Sequence, residues 1–176
     1  MRQEKTFFGE GVVGHMGFAD PYCEEMRKTA LEAVKKVDIK HSFGGTLVTV
    51  EGPRFSTKAE SFWYRSMDCS IIGMTGVPEA SLAREAEIPY CNLALVTDYD
   101  CWHEEEEAVD VSAVIAVLKR NVENSKKIVK AFLELIPEES ENPIFDAAKF
   151  AIMTPVELIP PETKRKLELF YGKYWN

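Results

Sequence analysis

Residues 70–97 read SIIGMTGVPEASLAREAEIPYCNLALVT, and this stretch decides the fold class. Ser70-Ile71-Ile72-Gly73-Met74 is a short apolar run of the kind that forms a buried strand. Pro78 to Glu87 then predicts a helix. Asn92-Leu93-Ala94-Leu95-Val96-Thr97 is nearly all apolar, as expected of a strand in a sheet covered on both faces. Strand, helix and strand in succession make the class α/β.

The flanking segments continue the alternation. Val12 to Phe18 predicts a strand. Asp20 as N-cap with Pro21 at the first helical position predicts a helix running to about Val37, with Met26, Ala30, Ala33, Val34 and Val37 near one face. Ile39–Phe43, Gly44-Gly45 and Thr46–Val50 have the pattern of a hairpin. Thr57-Lys58-Ala59-Glu60 is a capping-box signature and opens a helix through Tyr64. Val111 to Leu135 predicts a long amphipathic helix with Val111, Val114, Ile115, Leu118, Val122, Val129 and Leu133 as its buried stripe. Pro160-Pro161-Glu162 starts a last short helix carrying Leu167, Leu169 and Phe170. No repeat or linker interrupts the sequence, so residues 1–176 are expected to form a single domain.

Composition narrows the function. The 176 residues include 45% hydrophobic and 28% charged side chains, ordinary for a soluble globular protein. The formal net charge is −8, without a Lys/Arg cluster, which argues against nucleic acid and against an anionic membrane surface. No apolar run approaches bilayer length. Met1-Arg2-Gln3-Glu4-Lys5 leads into no apolar segment, so no secretory signal is expected and a cytoplasmic location is. Cys23, Cys69, Cys91 and Cys101 lack zinc-site spacing and are expected to be buried thiols in a reducing compartment.

In open α/β folds ligands bind on the loops beyond the C-terminal ends of strands. Three such loops carry unusual chemistry: Glu51-Gly52-Pro53-Arg54-Phe55-Ser56, Met74-Thr75-Gly76-Val77-Pro78-Glu79, and Thr97-Asp98-Tyr99-Asp100-Cys101-Trp102-His103. Taken alone, Asp98 and Asp100 serve turns more often than chemistry. As a neighbouring pair, they can hold one proton between them, so that one carboxyl donates a hydrogen bond and the other accepts. The acidic run Glu104 to Glu107 fits a solvated surface or the lead-in to a helix. His103 fits a surface position, and His41 a structural position in a strand.

These loops resemble those of the 5′-methylthioadenosine phosphorylases in order and spacing. The resemblance rests on Glu51 to Thr57 with Ala59-Glu60-Ser61, on Met74-Thr75 with Val77-Pro78-Glu79, and on Thr97-Asp98-Tyr99-Asp100-Cys101-Trp102. The opening Gly14-His15 to Ala19-Asp20-Pro21 and the closing Ile159-Pro160-Pro161-Glu162 to Gly172-Lys173-Tyr174 extend it over almost the whole chain. It implies the purine nucleoside phosphorylase fold, a mixed sheet flanked by helices, assembled as a trimer or a dimer of trimers. It implies phosphorolysis of 5′-methylthioadenosine with phosphate as co-substrate and no metal or organic cofactor.

The resemblance also assigns roles. Phe55 packs on the purine ring, Met74 lies against the ribose, and Thr75 binds phosphate. Asp98 hydrogen-bonds purine N7 and Asp100 accepts from the 6-amino group. His15, lent by a neighbouring subunit, surrounds the 5′-methylthio group together with Val111 and Val114. The base assignment agrees with elementary chemistry, since adenine offers an N7 acceptor and an N6 donor. Related 6-oxopurine enzymes have Asn near the Asp98 position and Glu at the position of Ser56; adenine N1 is an acceptor, which a Ser hydroxyl suits better. A buried mismatch costs about 1–3 kcal/mol.

Two departures stand out. Members of that family carry a substantial N-terminal portion with a Gly-rich phosphate loop and an Arg-His pair, neither of which occurs here. Gly76 replaces a larger side chain. Three readings follow: half of a split phosphorylase completed by a separate N-terminal half, an inactive truncated remnant, or a protein-interaction module that pairs through open sheet edges.

Overall fold

The computed structural model describes residues 5–103, 111–138 and 140–175; the side chains of residues 111–114 lie outside that description. Its contacts divide the chain into two compact units, one of residues 1–26, 77–91 and 137–176, the other of residues 27–76 and 92–136.

The first unit is built around Tyr171. Helix α5 (Pro161–Trp175) begins at a proline, which loses no hydrogen bond in a first turn. It turns Leu167 and Tyr171 onto Val12, Ala148 and Ile159. The Tyr171 ring stacks on Phe8 at 5.4 Å between centroids. Its hydroxyl donates to the Glu85 carbonyl at 2.8 Å, and burial, aided by the nearby charge of Glu85, drives its pKa upward. Glu87 is buried as well, and it is fully partnered. It accepts from the Ala148 amide at 2.8 Å, pairs with Lys173 at 2.9 Å and accepts from the Tyr174 hydroxyl. Burial, reinforced by that bond, pushes Tyr174 up to about 12.

The second unit carries a two-stranded parallel sheet, β1 (Thr46–Thr49) and β2 (Cys69–Gly73). Leu47 pairs with Ile71, Val48 with Ile72 and Thr49 with Gly73. The crossover between them is α2 (Lys58–Ser66), which packs on β2. A second cluster joins α1 (Glu24–Lys36) to α4 (Val111–Leu133): Ala33 and Val34 meet Ile128, Ala131 and Phe132. Lys36 bonds Glu134 at 2.7 Å beside it. Helix α3 (Gly76–Glu85) follows β2.

The α/β class, the capping box at Thr57 and the helices near residues 58, 76 and 161 agree with the sequence. Five expectations do not. Residues 12–18 form single bridges, Gly9 to Val12 and Gly14 to Ile152, instead of a strand. Helix α1 starts at Glu24 because Arg84 captures the carbonyls of Gly17 and Asp20, each at 2.6 Å, and holds that segment non-helical. The hairpin at Gly44-Gly45 does not form: β1 pairs in parallel with β2, residues 39–43 join no ladder among the described residues, and His41 is exposed and in no strand. Residues 92–97 join no ladder among the described residues, and Leu93, Leu95 and Val96 are exposed. The apolar stripe of α4 faces outward: Ile115, Leu118, Val122, Val129 and Leu133 are all exposed. The buried contacts run through Ile128 and Ala131, a different face of the same helix.

The thiols also differ from expectation. None of the four is in a disulfide; Cys23 is buried, Cys69 and Cys91 are half-buried and Cys101 is exposed. No helix among the described residues is long and apolar enough to cross a membrane. Replacing Tyr171 by Phe should leave the Glu85 carbonyl buried without its donor. The expected loss is about 1 kcal/mol, seen as a lower urea midpoint at unchanged slope.

Candidate functional site

Two of the three chemically unusual loops follow β1 and β2, and the third follows residues 92–97 in the same unit. Their geometry begins with Glu60. Its carboxylate takes both guanidinium arms of Arg54, at 2.7 and 2.6 Å, and closes the capping box with the Thr57 amide at 2.8 Å. The Thr57 hydroxyl in turn accepts from the Glu60 amide at 3.2 Å. Arg54 also reaches the Phe55 carbonyl at 3.0 Å. Residues 54–57 are thereby pinned to the first turn of α2, and the Phe55 ring stands 83% exposed. The Arg54 hydrogen bonds, then those from Thr57, hold the Glu60 carboxyl down at about 2.

Gly52 brings the first loop onto the second. A Cβ there would lie 2.8 Å from the Met74 sulfur, so a larger residue would push this methionine side chain away from the loop. Gly52-Pro53 is a cis peptide. Thr75 is exposed and directly precedes Gly76, the first residue of α3. A cavity of about 390 Å³ opens beside the first loop, lined by Val50, Glu51, Arg54, Ser56, Trp63 and Met67 among others. The Ser56 and Thr49 hydroxyl oxygens are buried there without a hydrogen-bond partner among the described residues.

The third loop is tied to the first through Cys101, whose thiol contacts the Ser56 carbonyl at 3.6 Å. Asp98 accepts from the Thr97 hydroxyl through Oδ2 at 2.6 Å. Asp100 accepts from the Cys101 amide through Oδ1 at 2.9 Å. Each carboxyl thus keeps one oxygen outside these bonds. Tyr99 between them stacks on His103, with centroids 4.6 Å apart, and Trp102 meets both rings edge-on. His103 is half-buried rather than a surface residue, and its Nδ1 has no partner among the described residues.

The second unit therefore brings Ser56 to the loop of Asp98 and Asp100, and Met74 to the loop of Phe55. His15 lies in the other unit, exposed, its amide bonded to the Ala151 carbonyl at 2.9 Å. Val111 and Val114 stand in the first turn of α4 with side chains outside the described residues, and Glu104 to Glu107 lie outside them altogether. Sequence reasoning missed Arg65, whose guanidinium carbon sits 3.4 Å from the Trp102 ring centroid. The only signal was an arginine in the last turn of a helix ahead of a loop containing tryptophan.

The sequence profile of the phosphorylase superfamily matches residues 1–134. S-methyl-5'-thioadenosine phosphorylase of Koribacter versatilis is 48% identical over 171 residues, covering 97% of this chain and 59% of that protein. A crystal structure of methylthioadenosine phosphorylase sourced from an antarctic soil metagenomic library has a TM-score of 0.90 and 44% identity, over 97% of this chain and 61% of that one. Methylthioadenosine phosphorylase from Schistosoma mansoni in complex with adenine has a TM-score of 0.72 and 36% identity, over 84% of this chain and 59% of that one. The chain spans about three fifths of the length of the curated relatives it matches.

The Glu60 anchor has a pH signature. Its folded pKa lies below the ordinary 4.5. Its stabilising contribution is therefore present above about pH 4.5 and is lost as pH falls through about 2. In an Arg54→Met variant the Glu60 titration, followed by carboxylate NMR, should move up toward 4.5. The variant's stability deficit should shrink as the pH is lowered from 4.5 toward 2.

Proposed function

This chain belongs to the phosphorylase superfamily, and from that premise we propose that it carries the base- and sugar-binding part of a 5′-methylthioadenosine phosphorylase. The reaction is transfer of a 5-methylthioribosyl group from adenine to phosphate. A phosphate oxygen forms a bond to C1′ as the bond from C1′ to purine N9 breaks, through an oxocarbenium-like sugar. The bonding pair leaves with the purine, and a proton from Asp98 to N7 neutralises it, giving adenine and 5-methylthioribose 1-phosphate. The scheme calls for no metal or organic cofactor.

The observation that carries this reading is the anchoring of Thr97–Trp102 against Ser56. The Thr97 hydroxyl occupies Asp98 Oδ2 and the Cys101 amide occupies Asp100 Oδ1. The second oxygen of each remains for ligand. Asp98 Oδ1 carries the proton to N7, and Asp100 Oδ2 accepts from the 6-amino group. A 6-oxopurine would set an oxygen against Asp100. Phe55, exposed and rigidly based, covers the ring face; the Ser56 hydroxyl serves the N1 edge; Met74 lies along the ribose. Thr75 binds phosphate at the start of α3, where free amides and the helix dipole favour an anion. His15 of a neighbouring subunit, with Val111 and Val114, encloses the methylthio group in a trimer or hexamer in the cytoplasm.

Residues 1–176 act in this reading as one domain, and the remaining phosphate contacts come from residues outside them. A second reading, an interaction module or inactive remnant, draws support from the outward apolar stripe of α4. Turnover separates the two. In the assembly that releases adenine, Asp98→Asn should lower kcat for 5′-methylthioadenosine about 10²–10⁴-fold. The check is phosphate-dependent adenine release. A variant as fast as the parent would remove Asp98 as the acid, and an assembly with no adenine release at all would favour the second reading.

A further inference from the structure

Both ligand-facing loops hang from α2. Its first turn holds residues 54–57 through Glu60. Its last turn carries Arg65, whose guanidinium carbon sits over the Trp102 ring of the other loop, 3.4 Å from its centroid. Arg65 lies eight positions after Thr57, about 12 Å along a helix, so one short rigid element spaces the two loops. From Trp102 the contact passes edge-on to Tyr99 and His103, and these two rings stack on each other. Tyr99 is the residue between the two carboxyls. The backbone turn closes beneath it, with the His103 amide bonded to the Asp100 carbonyl at 3.1 Å.

We propose that Arg65 is a positioning residue for the carboxylate loop: by stacking on Trp102 it fixes Tyr99, and thereby the spacing and direction of Asp98 and Asp100 toward a bound purine. Arg65 touches no reacting atom in this scheme. A planar guanidinium stacks on an indole face over its whole area, whereas an ammonium makes only a point contact. The aromatic relay explains why three rings crowd a loop whose own chemistry needs only two carboxyls. The identity of the ligand rests on the function proposed above; the positioning itself does not.

The test uses the full chain in its native assembly, with Arg65→Met, Arg65→Lys and, from the other side of the stack, Trp102→Phe. Hydrogen exchange over residues 98–103 should quicken about tenfold in Arg65→Met, while exchange in the Ala33–Ile128 cluster stays as in the parent. Adenine dissociation constants by calorimetry should rise about tenfold in Arg65→Met and about threefold in Arg65→Lys. The Arg65→Met and Trp102→Phe effects should not add, because both remove one contact. Unchanged exchange over 98–103 in Arg65→Met and Trp102→Phe overturns the proposal, whatever ligand the site takes. Exchange that quickens equally throughout the unit also overturns it, as a general loss of stability. Local quickening in the variants, together with a parent that binds no adenine, upholds the positioning role and removes the purine reading instead.

Discussion

The Glu60 carboxylate organises the loop that joins β1 to α2 in the second unit. It takes two bonds from Arg54 and one each from the Thr57 amide and hydroxyl. A capping box by itself only satisfies the orphan amides of a helix start. Here the same carboxylate also neutralises the arginine of the preceding loop, so helix initiation and loop fixation are one interaction. Phe55 can be left almost bare because its neighbours on both sides are bound. Gly52 and Met74 close the other flank, since the missing Cβ admits the methionine sulfur to the loop backbone.

What could be read from the sequence divides along the range of the forces involved. The Thr57–Glu60 box, α2, α3 and the start of α5 depend on contacts within a few residues, and the sequence carries them in full. The start of α1 depends on Arg84, more than sixty residues away, which takes the Asp20 carbonyl that the first turn of a helix beginning at Pro21 would have used. The expected hairpin fails for a related reason. Gly44 and Gly45 do adopt the left-handed backbone that a tight turn needs, at φ +88° and +104°. Strand pairing is tertiary: β1 takes β2 as its partner, and residues 39–43 take none among the described residues. Residues 92–97 have a strand's composition without a ladder, because periodicity reports a preference and not a neighbour. In α4 the periodicity located the helix but not the face that packs.

The candidate site was legible as residue types and illegible as geometry. Asp98 and Asp100 stood out as a carboxyl pair directly after an apolar run, whereas Phe55, Ser56, Met74 and Thr75 stood out through the resemblance of their loops to those of the 5′-methylthioadenosine phosphorylases. Which oxygen of each carboxyl is occupied follows only from Thr97 and Cys101, whose roles are local hydrogen bonds that no spacing rule encodes. The relay of Arg65, Trp102, Tyr99 and His103 is a tertiary arrangement, and a stacked cation looks like any other arginine in a sequence.

The outward stripe of α4 governs how this chain behaves in a test tube. Five large aliphatic side chains on one helical face meet water, while a formal net charge of −8 pushes copies apart. The balance is set by the solvent. Low ionic strength leaves the repulsion unscreened and keeps the chains dispersed. Sulfate does the opposite twice over, screening the charge and strengthening the drive to hide hydrocarbon, so these 176 residues on their own would salt out early and elute from a gel column in fractions that depend on loading.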